Sequence, residues 1–258
     1  MTEAPIFRHT RIVNALMLRE MNTRFGRESI GFVWIIAEPL LFCFGVLALW
    51  TLTKPAYEHG IRLAPFVMTG YMCVILTRHF IQQATSALQA NMGLLHHRDI
   101  SPTHIFIARA VLEFIGATAA FVVVYVILLA LGQVELPQNY LLLYGGWLLL
   151  AWVSQGFALI VAGLAMLFEV VERVVPVLTY ILIPISGAFS MVAWLPSEYR
   201  ETYLLIPFPH GIEMLRAGVF GEFVATYYDP VYALTVGASM IVTGLLLITI
   251  GRNRIDVE

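Results

Sequence analysis

The sequence predicts an all-α polytopic membrane protein with six transmembrane helices. An amino-terminal interfacial amphipathic helix precedes them, and external re-entrant half-helices lie between the fifth and sixth spans. Three observations predict this class. Of 258 residues, 59% are hydrophobic and only 12% charged, and mean hydropathy is +0.81, far from the balance of a soluble domain. The apolar residues gather into runs of the roughly 20 residues that a bilayer core requires. Charges concentrate between those runs, where their position matters more than their net sum of -2.

Residues 1–30 form the first unit. Between positions 5 and 30, Ile12, Val13, Leu16, Met17 and Phe25 interleave with arginines, with Glu20 among them. This pattern suits a helix lying in the membrane interface or packed on the cytoplasmic side of the protein, and the two placements are compatible. With about thirty polar and amphipathic residues before the first long apolar run and no small-residue cleavage site after it, no cleavable signal peptide is expected. Residues 31–258 form a single transmembrane domain with spans near 31–53, 64–84, 105–131, 140–168, 174–194 and 230–250.

Six spans put both termini on one side, and the basic residues decide which. With an inside amino terminus, Arg8, Arg11, Arg19, Arg24, Arg27, Arg98, Arg109, Arg173, Arg252 and Arg254 are cytoplasmic. Lys54, Arg62, Arg200 and Arg216 are external, and Arg78 stays within the second span. Ten against four makes both termini cytoplasmic.

Two connections depart from short loops. Residues 85–104 carry His96, His97, Asp99 and His104, and SALQANMGLL at their start suits a short surface helix. Residues 195–229 are apolar yet broken by Pro207, Pro209 and Gly211. Broken apolar backbone suggests short helices dipping into the outer leaflet where protein covers the freed polar groups. Glu169, Glu172 and Arg173 read as a tight cytoplasmic turn between the fourth and fifth spans. No internal repeat is visible, which weighs against an inverted-repeat secondary transporter.

Several chemistries lack their residues. The single lysine, Lys54, has no phosphate-binding-loop context, so the chain does not bind ATP in that way. Zinc-protease and serine-hydrolase signatures are missing, and Cys43 and Cys73 both fall inside apolar runs. No catalytic residue and no metal ligand set are expected. The histidine-rich loop reads as a solvated or partner-facing surface or, alternatively, as the site of an intramembrane enzyme acting on lipid-linked sugars.

Charges within spans are rare and usually face a bundle interior or a wet cavity. Glu38, beside Pro39, lies about 10 Å past Gly31 by helical rise. Arg109 and Glu113 are four apart on one helix face, at similar depth, either as an inner-mouth cluster with Glu38 or as an ion-pair network that sets helix register. Arg78, with His79, Gln82 and Gln83, either snorkels to the cytoplasm or lines an entrance for polar or anionic cargo. His210, Glu213 and Arg216 recur every three residues, as an outer gate or as local helix stabilisation. Phe42, Phe44, Tyr180 and Phe189 are deep aromatics, facing either lipid or a sliding sugar polymer.

Motifs in order carry a resemblance. L-R-E-x-x-T-R-F-G at Leu18 to Gly26, G-x-x-W-x-x-x-E-P at Gly31 to Pro39, Asn91 with Leu94, I-A-R-A-x-L-E at Ile107 to Glu113, and P-x-x-H-x-x-E-x-x-R at Pro207 to Arg216 succeed one another. Together they resemble ABC-2 type capsular polysaccharide export permeases of the KpsM type, over essentially the whole chain. The resemblance implies a homodimer with two ATP-binding cassette subunits, exporting lipid-linked capsular polysaccharide across the bacterial inner membrane. Periplasmic and outer-membrane export components would complete the system, and no nucleic-acid partner is expected. ATP and Mg would belong to the partner ATPase, with no cofactor in this chain. Arg19, Arg24, Phe25, Ala87, Leu88, Asn91 and Leu94 would receive the ATPase's movement. Ile206 stands where the family pattern has an asparagine, and Arg78 where it has a small polar residue. An exporter of O-antigen, teichoic acid or a small molecule shares the architecture and is the alternative.

Overall fold

The computed structural model describes residues 5–25, 30–87 and 100–255. Its helices are α1 (Pro5–Phe25), α2 (Ile30–Thr53), α3 (Leu63–Ala87), α4 (Pro102–Ala130), α5 (Tyr140–Leu167), α6 (Glu169–Ile185), α7 (Ser197–Tyr203), α8 (Phe208–Phe220) and α9 (Pro230–Ile255). Among the described residues, α2, α3, α4, α5 and α9 are long and apolar enough to cross a membrane. The chain is a polytopic, almost wholly helical membrane protein.

One departure from all-helical structure is a small hairpin after α2. Strands β1 (Tyr57–Glu58) and β2 (Ile61–Arg62) pair antiparallel. His59 and Gly60 join them with positive φ of 52° and 82°, the backbone that a tight two-residue hairpin turn demands.

The fifth expected span, 174–194, differs more. The helix begins at Glu169, with one residue between it and the end of α5, and stops at Ile185. Phe168 alone, in extended conformation, breaks the chain between the two. Glu169 and Glu172 therefore form the first turn of α6 and not a connecting turn, a placement the helix dipole favours. At the other end Pro184 precedes a turn through Ser186 and Gly187, whose φ is 83°. The apolar run continues past this break, but the helix does not, because the backbone direction changes at Gly187. A short 3-10 turn, Val192–Trp194, follows. The 17 residues of α6 rise about 26 Å, a little under a bilayer core.

Helix α3 is the centre of the bundle, buried along most of its length and packed by α2, α4, α5 and α6. Helix α5 is the second axis. Glycines allow its neighbours to approach backbone to backbone, the usual way apolar helices associate in lipid. Gly237, Gly244 and Gly251 of α9 meet Trp152, Leu159 and Met166 of α5, so the two helices run parallel. Their spacing of seven residues keeps one face turned to the partner. Helix α8 runs the opposite way along the first half of α5, with Gly218 against Leu143 and Gly211 against Leu150. A buried bond of 2.9 Å between the hydroxyls of Thr77 and Ser154 ties α3 to α5.

Helix α1 lies across the start of α4. Leu16 is buried, and Ile12, Val13 and Met17 pack on the main core. These residues of the amphipathic face thus lie against the protein itself.

A Cβ on Gly146 would stand 2.4 Å from the Leu215 backbone nitrogen and 2.7 Å from the Gly211 carbonyl, both backbone atoms of α8. On Gly45 it would meet nothing within 4 Å. Gly146→Ala should therefore destabilise the protein by roughly 1–3 kcal/mol, read as a lower melting temperature in detergent by fluorescence-detected size exclusion. Gly45→Ala should melt as the wild type does.

Candidate functional site

The charged residues of the spans fall into two neighbourhoods at the α1 end of the bundle. In the first, Arg109 of α4 pairs with Glu20 of α1 at 2.7 Å. Its guanidinium also donates to the Gln83 carbonyl and to the Ser86 hydroxyl, each at 2.9 Å. Arg109 thus holds together the end of α3, the start of α4 and the amino-terminal helix. A second tie lies beside it. His104 Nδ1 accepts from the Ser101 backbone N–H at 3.1 Å, so its Nε2 carries the proton and donates to His9 Nδ1 at 2.8 Å. Glu20 and His9 were not read from the sequence as partners of α4. Each belongs to a pattern already explained by amphipathicity, and the partner stands some ninety positions away.

Glu113, one turn beyond Arg109, turns to His79 of α3, with 3.3 Å between Oε2 and Nδ1. It is a charge contact and not an aligned hydrogen bond. His79 brings Glu113 to the edge of the second neighbourhood. This is a cavity of 140 Å³ between α2, α3 and α6, lined by Glu38, Pro39, Phe42, Tyr71, Ile75, Arg78, His79, Gln82 and Tyr180. Arg78 stacks over the Tyr180 ring with its carbon 5.2 Å from the centroid. The expected inner-mouth residues therefore separate: Glu38 and Arg78 line the cavity, while Arg109 anchors α1.

The deep aromatics separate too. Phe42 and Tyr180, 57% and 61% exposed, stand at the cavity. Phe44 packs on the main core, and Phe189 packs tilted against Trp50 with ring centroids 5.3 Å apart. Of the residues expected to receive the ATPase's movement, Arg19 is exposed on α1 and Ala87 is buried at the end of α3. The side chains of Arg24 and Phe25 lie outside the described part of α1, as do Leu88, Asn91, Leu94, His96, His97 and Asp99 outside the described residues altogether. Among the described residues no group of three histidine, cysteine or acidic side chains is placed to hold a metal ion.

At the hairpin end, His210, Glu213 and Arg216 come together on α8 and are 2%, 2% and 0% exposed. Arg216 donates to the carbonyls of Gly187, at 2.8 Å, Ser190, at 2.9 Å, and Ala188, and its plane lies 4.4 Å over Phe66. Glu213, 3.8 Å from Arg216, accepts from the backbone N–H of Val192 at 3.3 Å and Tyr227 at 3.1 Å. His210 accepts from Asp229 N–H and donates from Nε2 to the Leu204 carbonyl, at 2.9 and 2.8 Å. The three side chains fasten α8 to three separate stretches of irregular backbone, a wider role than local helix support. Burial also pushes the Tyr203 phenol up to about 12, which keeps it a donor to the Ile185 carbonyl, 3.0 Å away. A cleft of 660 Å³ between the hairpin, Gln133 to Gln138 and the end of α8 includes none of the expected residues.

Long apolar helices beside a cavity lined by an acid, an arginine and aromatic rings describe a polytopic membrane protein with a polar pocket between its helices. The chain belongs to the ABC-2 type transporter family, whose model matches residues 12–220. It is 35% identical over 239 residues to the capsule polysaccharide export inner-membrane protein CtrC of Neisseria meningitidis serogroup B, covering 93% of this chain and 90% of that protein. The corresponding protein BexB of Haemophilus influenzae is 33% identical over 92% of this chain and 90% of its own length. The polysialic acid transport protein KpsM of Escherichia coli is 30% identical over 83% of each.

Arg216→Met leaves three carbonyls without their donor and the Glu213 carboxylate without its counter-charge. It should cost about 3–5 kcal/mol, seen as loss of monodisperse protein after extraction. Arg216→Lys should recover only part, because one ammonium cannot match the planar fork that reaches Gly187, Ala188 and Ser190 together.

Proposed function

We propose that this chain is the permease subunit of an ATP-driven exporter that moves lipid-linked capsular polysaccharide across the bacterial inner membrane. The observation that carries this reading is similarity along nearly the whole chain to capsule polysaccharide export inner-membrane proteins. ATP and Mg belong to a partner ATPase, and two such cassettes serve a homodimer of this chain. Periplasmic and outer-membrane components extend the route.

Helix α6, counted with the five longer helices, makes six spans and puts both termini on one side. The basic residues support that side being the cytoplasm. Helix α8, packed beside only the first half of α5, supports a re-entrant half-helix entering from outside. A second copy is supported by the apolar surfaces of α2 and α6. Val33, Trp34, Leu41, Leu49, Val170, Val174, Val177 and Ile181 are exposed on either side of the Glu38 cavity. Two copies meeting there enclose a central path with Phe42 and Tyr180 facing it, while Phe44 and Phe189 support it from behind.

Movement enters through α1 and the connection after Ala87. Arg109 joins α1 and the end of α3 to α4, so a push from a closing ATPase dimer reaches the helices around the cavity. At the outer end His210, Glu213 and Arg216 hold α8 as a gate element.

The purified chain should show no ATPase activity alone and should gain it only with its cassette partner; robust hydrolysis by the chain alone would falsify the reading. Deleting the gene should strand capsule polymer inside the cell, and unchanged surface capsule would exclude capsule as the cargo. Glu38→Gln should impair export while the dimer, measured by cross-linking or light scattering, still assembles. Failed assembly would instead make Glu38 a packing residue.

A further inference from the structure

We infer that the cavity between α2, α3 and α6 reads negative charge on the cargo, and that Arg78 is the residue that does so. The inference rests on the exporter reading above and adds the class of polymer. Arg78 makes no ion pair or hydrogen bond with any described residue; its guanidinium lies over the Tyr180 ring. Its Nε is buried without a hydrogen-bond partner, as are those of Arg109 and Arg216, so what sets Arg78 apart is that its terminal nitrogens have no paired acceptor among the described residues. Guanidinium groups at membrane depth are normally paired, as Arg109 and Arg216 are. Arg109 has Glu20 and two further acceptors, and Arg216 has three carbonyls and Glu213.

Glu38 lines the same cavity, but no ion pair joins it to Arg78. An acid and a base that share a cavity without neutralising each other leave both groups for a third party. The nearby His79 does not compete for an anion, because it is already turned to Glu113. A planar fork of donors matches a carboxylate or a phosphodiester. Glu38 supplies what an arginine lacks, an acceptor for sugar hydroxyls. Tyr180 holds the guanidinium by its ring face and, with Phe42, offers apolar surface to a sugar ring. Each part matches an acidic glycan, and a neutral one would leave the arginine unsatisfied.

The test uses the complete complex of this chain with its ATPase, in phosphatidylcholine nanodiscs that contribute no anionic lipid. Stimulation of ATP hydrolysis and binding are measured for three length-matched oligomers: oligosialic acid, oligo-ribitol phosphate and neutral dextran. We expect at least one acidic oligomer to be preferred to dextran by about tenfold or more, as a charge-assisted pair implies. Which one is preferred distinguishes a carboxylate from a phosphodiester cargo. Arg78→Gln should abolish the preference without weakening dextran, and Arg78→Lys should keep part of it. Equal response to acidic and neutral oligomers by the wild type, or an unchanged preference in Arg78→Gln, overturns the inference and leaves the exporter reading standing. If no oligomer is bound by the wild-type complex, glycan transport itself fails and the inference with it.

Discussion

Backbone that leaves a helix inside lipid has no water to bond with, and its carbonyls must find donors within the protein. Helix α6 ends at Ile185 and the chain turns at Gly187, so the carbonyls of Gly187, Ala188 and Ser190 face this requirement together. Arg216 meets it with one guanidinium. The rest follows by geometry. Arg216 must lie against the turn, so α8 must lie beside α3 and α5, and Gly70 of α3 must remain a glycine, since its Cβ would fall on the Ala188 carbonyl. Glu213 then balances the buried charge and ties down Val192 and Tyr227.

The opposite end of the bundle solves a different problem with the same residue types. There the polar groups join helices that belong to different parts of the chain. Arg109 gathers α1, α3 and α4, and His104 repeats the connection to α1 through His9. Beside this junction stands the cavity of Glu38 and Arg78, bounded by α2 and α6, which have much of their apolar surface exposed. The molecule is therefore most firmly assembled around α3, α5, α8 and α9 and most lightly around the cavity.

Much of this was legible in the sequence, and the parts that were not share a cause. Runs of apolar residues marked α2, α3, α4, α5 and α9 closely because length and hydropathy are local properties. The end of α6 was misplaced because apolar residues continue through Phe189 to Trp194, while the feature that ends the helix is a backbone turn satisfied from Arg216, 28 residues later. Glu38 and Arg78 are each conspicuous inside an apolar run, and the fold brings both to the lining of one cavity. Their separation from Arg109 depended on Glu20, which looked like an ordinary residue of an amphipathic helix. The spacing of Gly237, Gly244 and Gly251 was present in the chain as a plain signal of helix packing, yet it becomes meaningful only beside the matching positions on α5.

The single residue that joins α5 to α6 restricts more than the length of a loop. Phe168 pins the start of α6 to the end of α5, and Arg216 pins the turn that follows Ile185. A rod held at both tips can neither slide nor swing away. What remains to it is spin about its own long axis and bowing at Pro176 and Pro184. Tyr180 stands on this rod at the rim of the cavity, so any change at that rim has to come from those two freedoms and not from displacement of the whole helix.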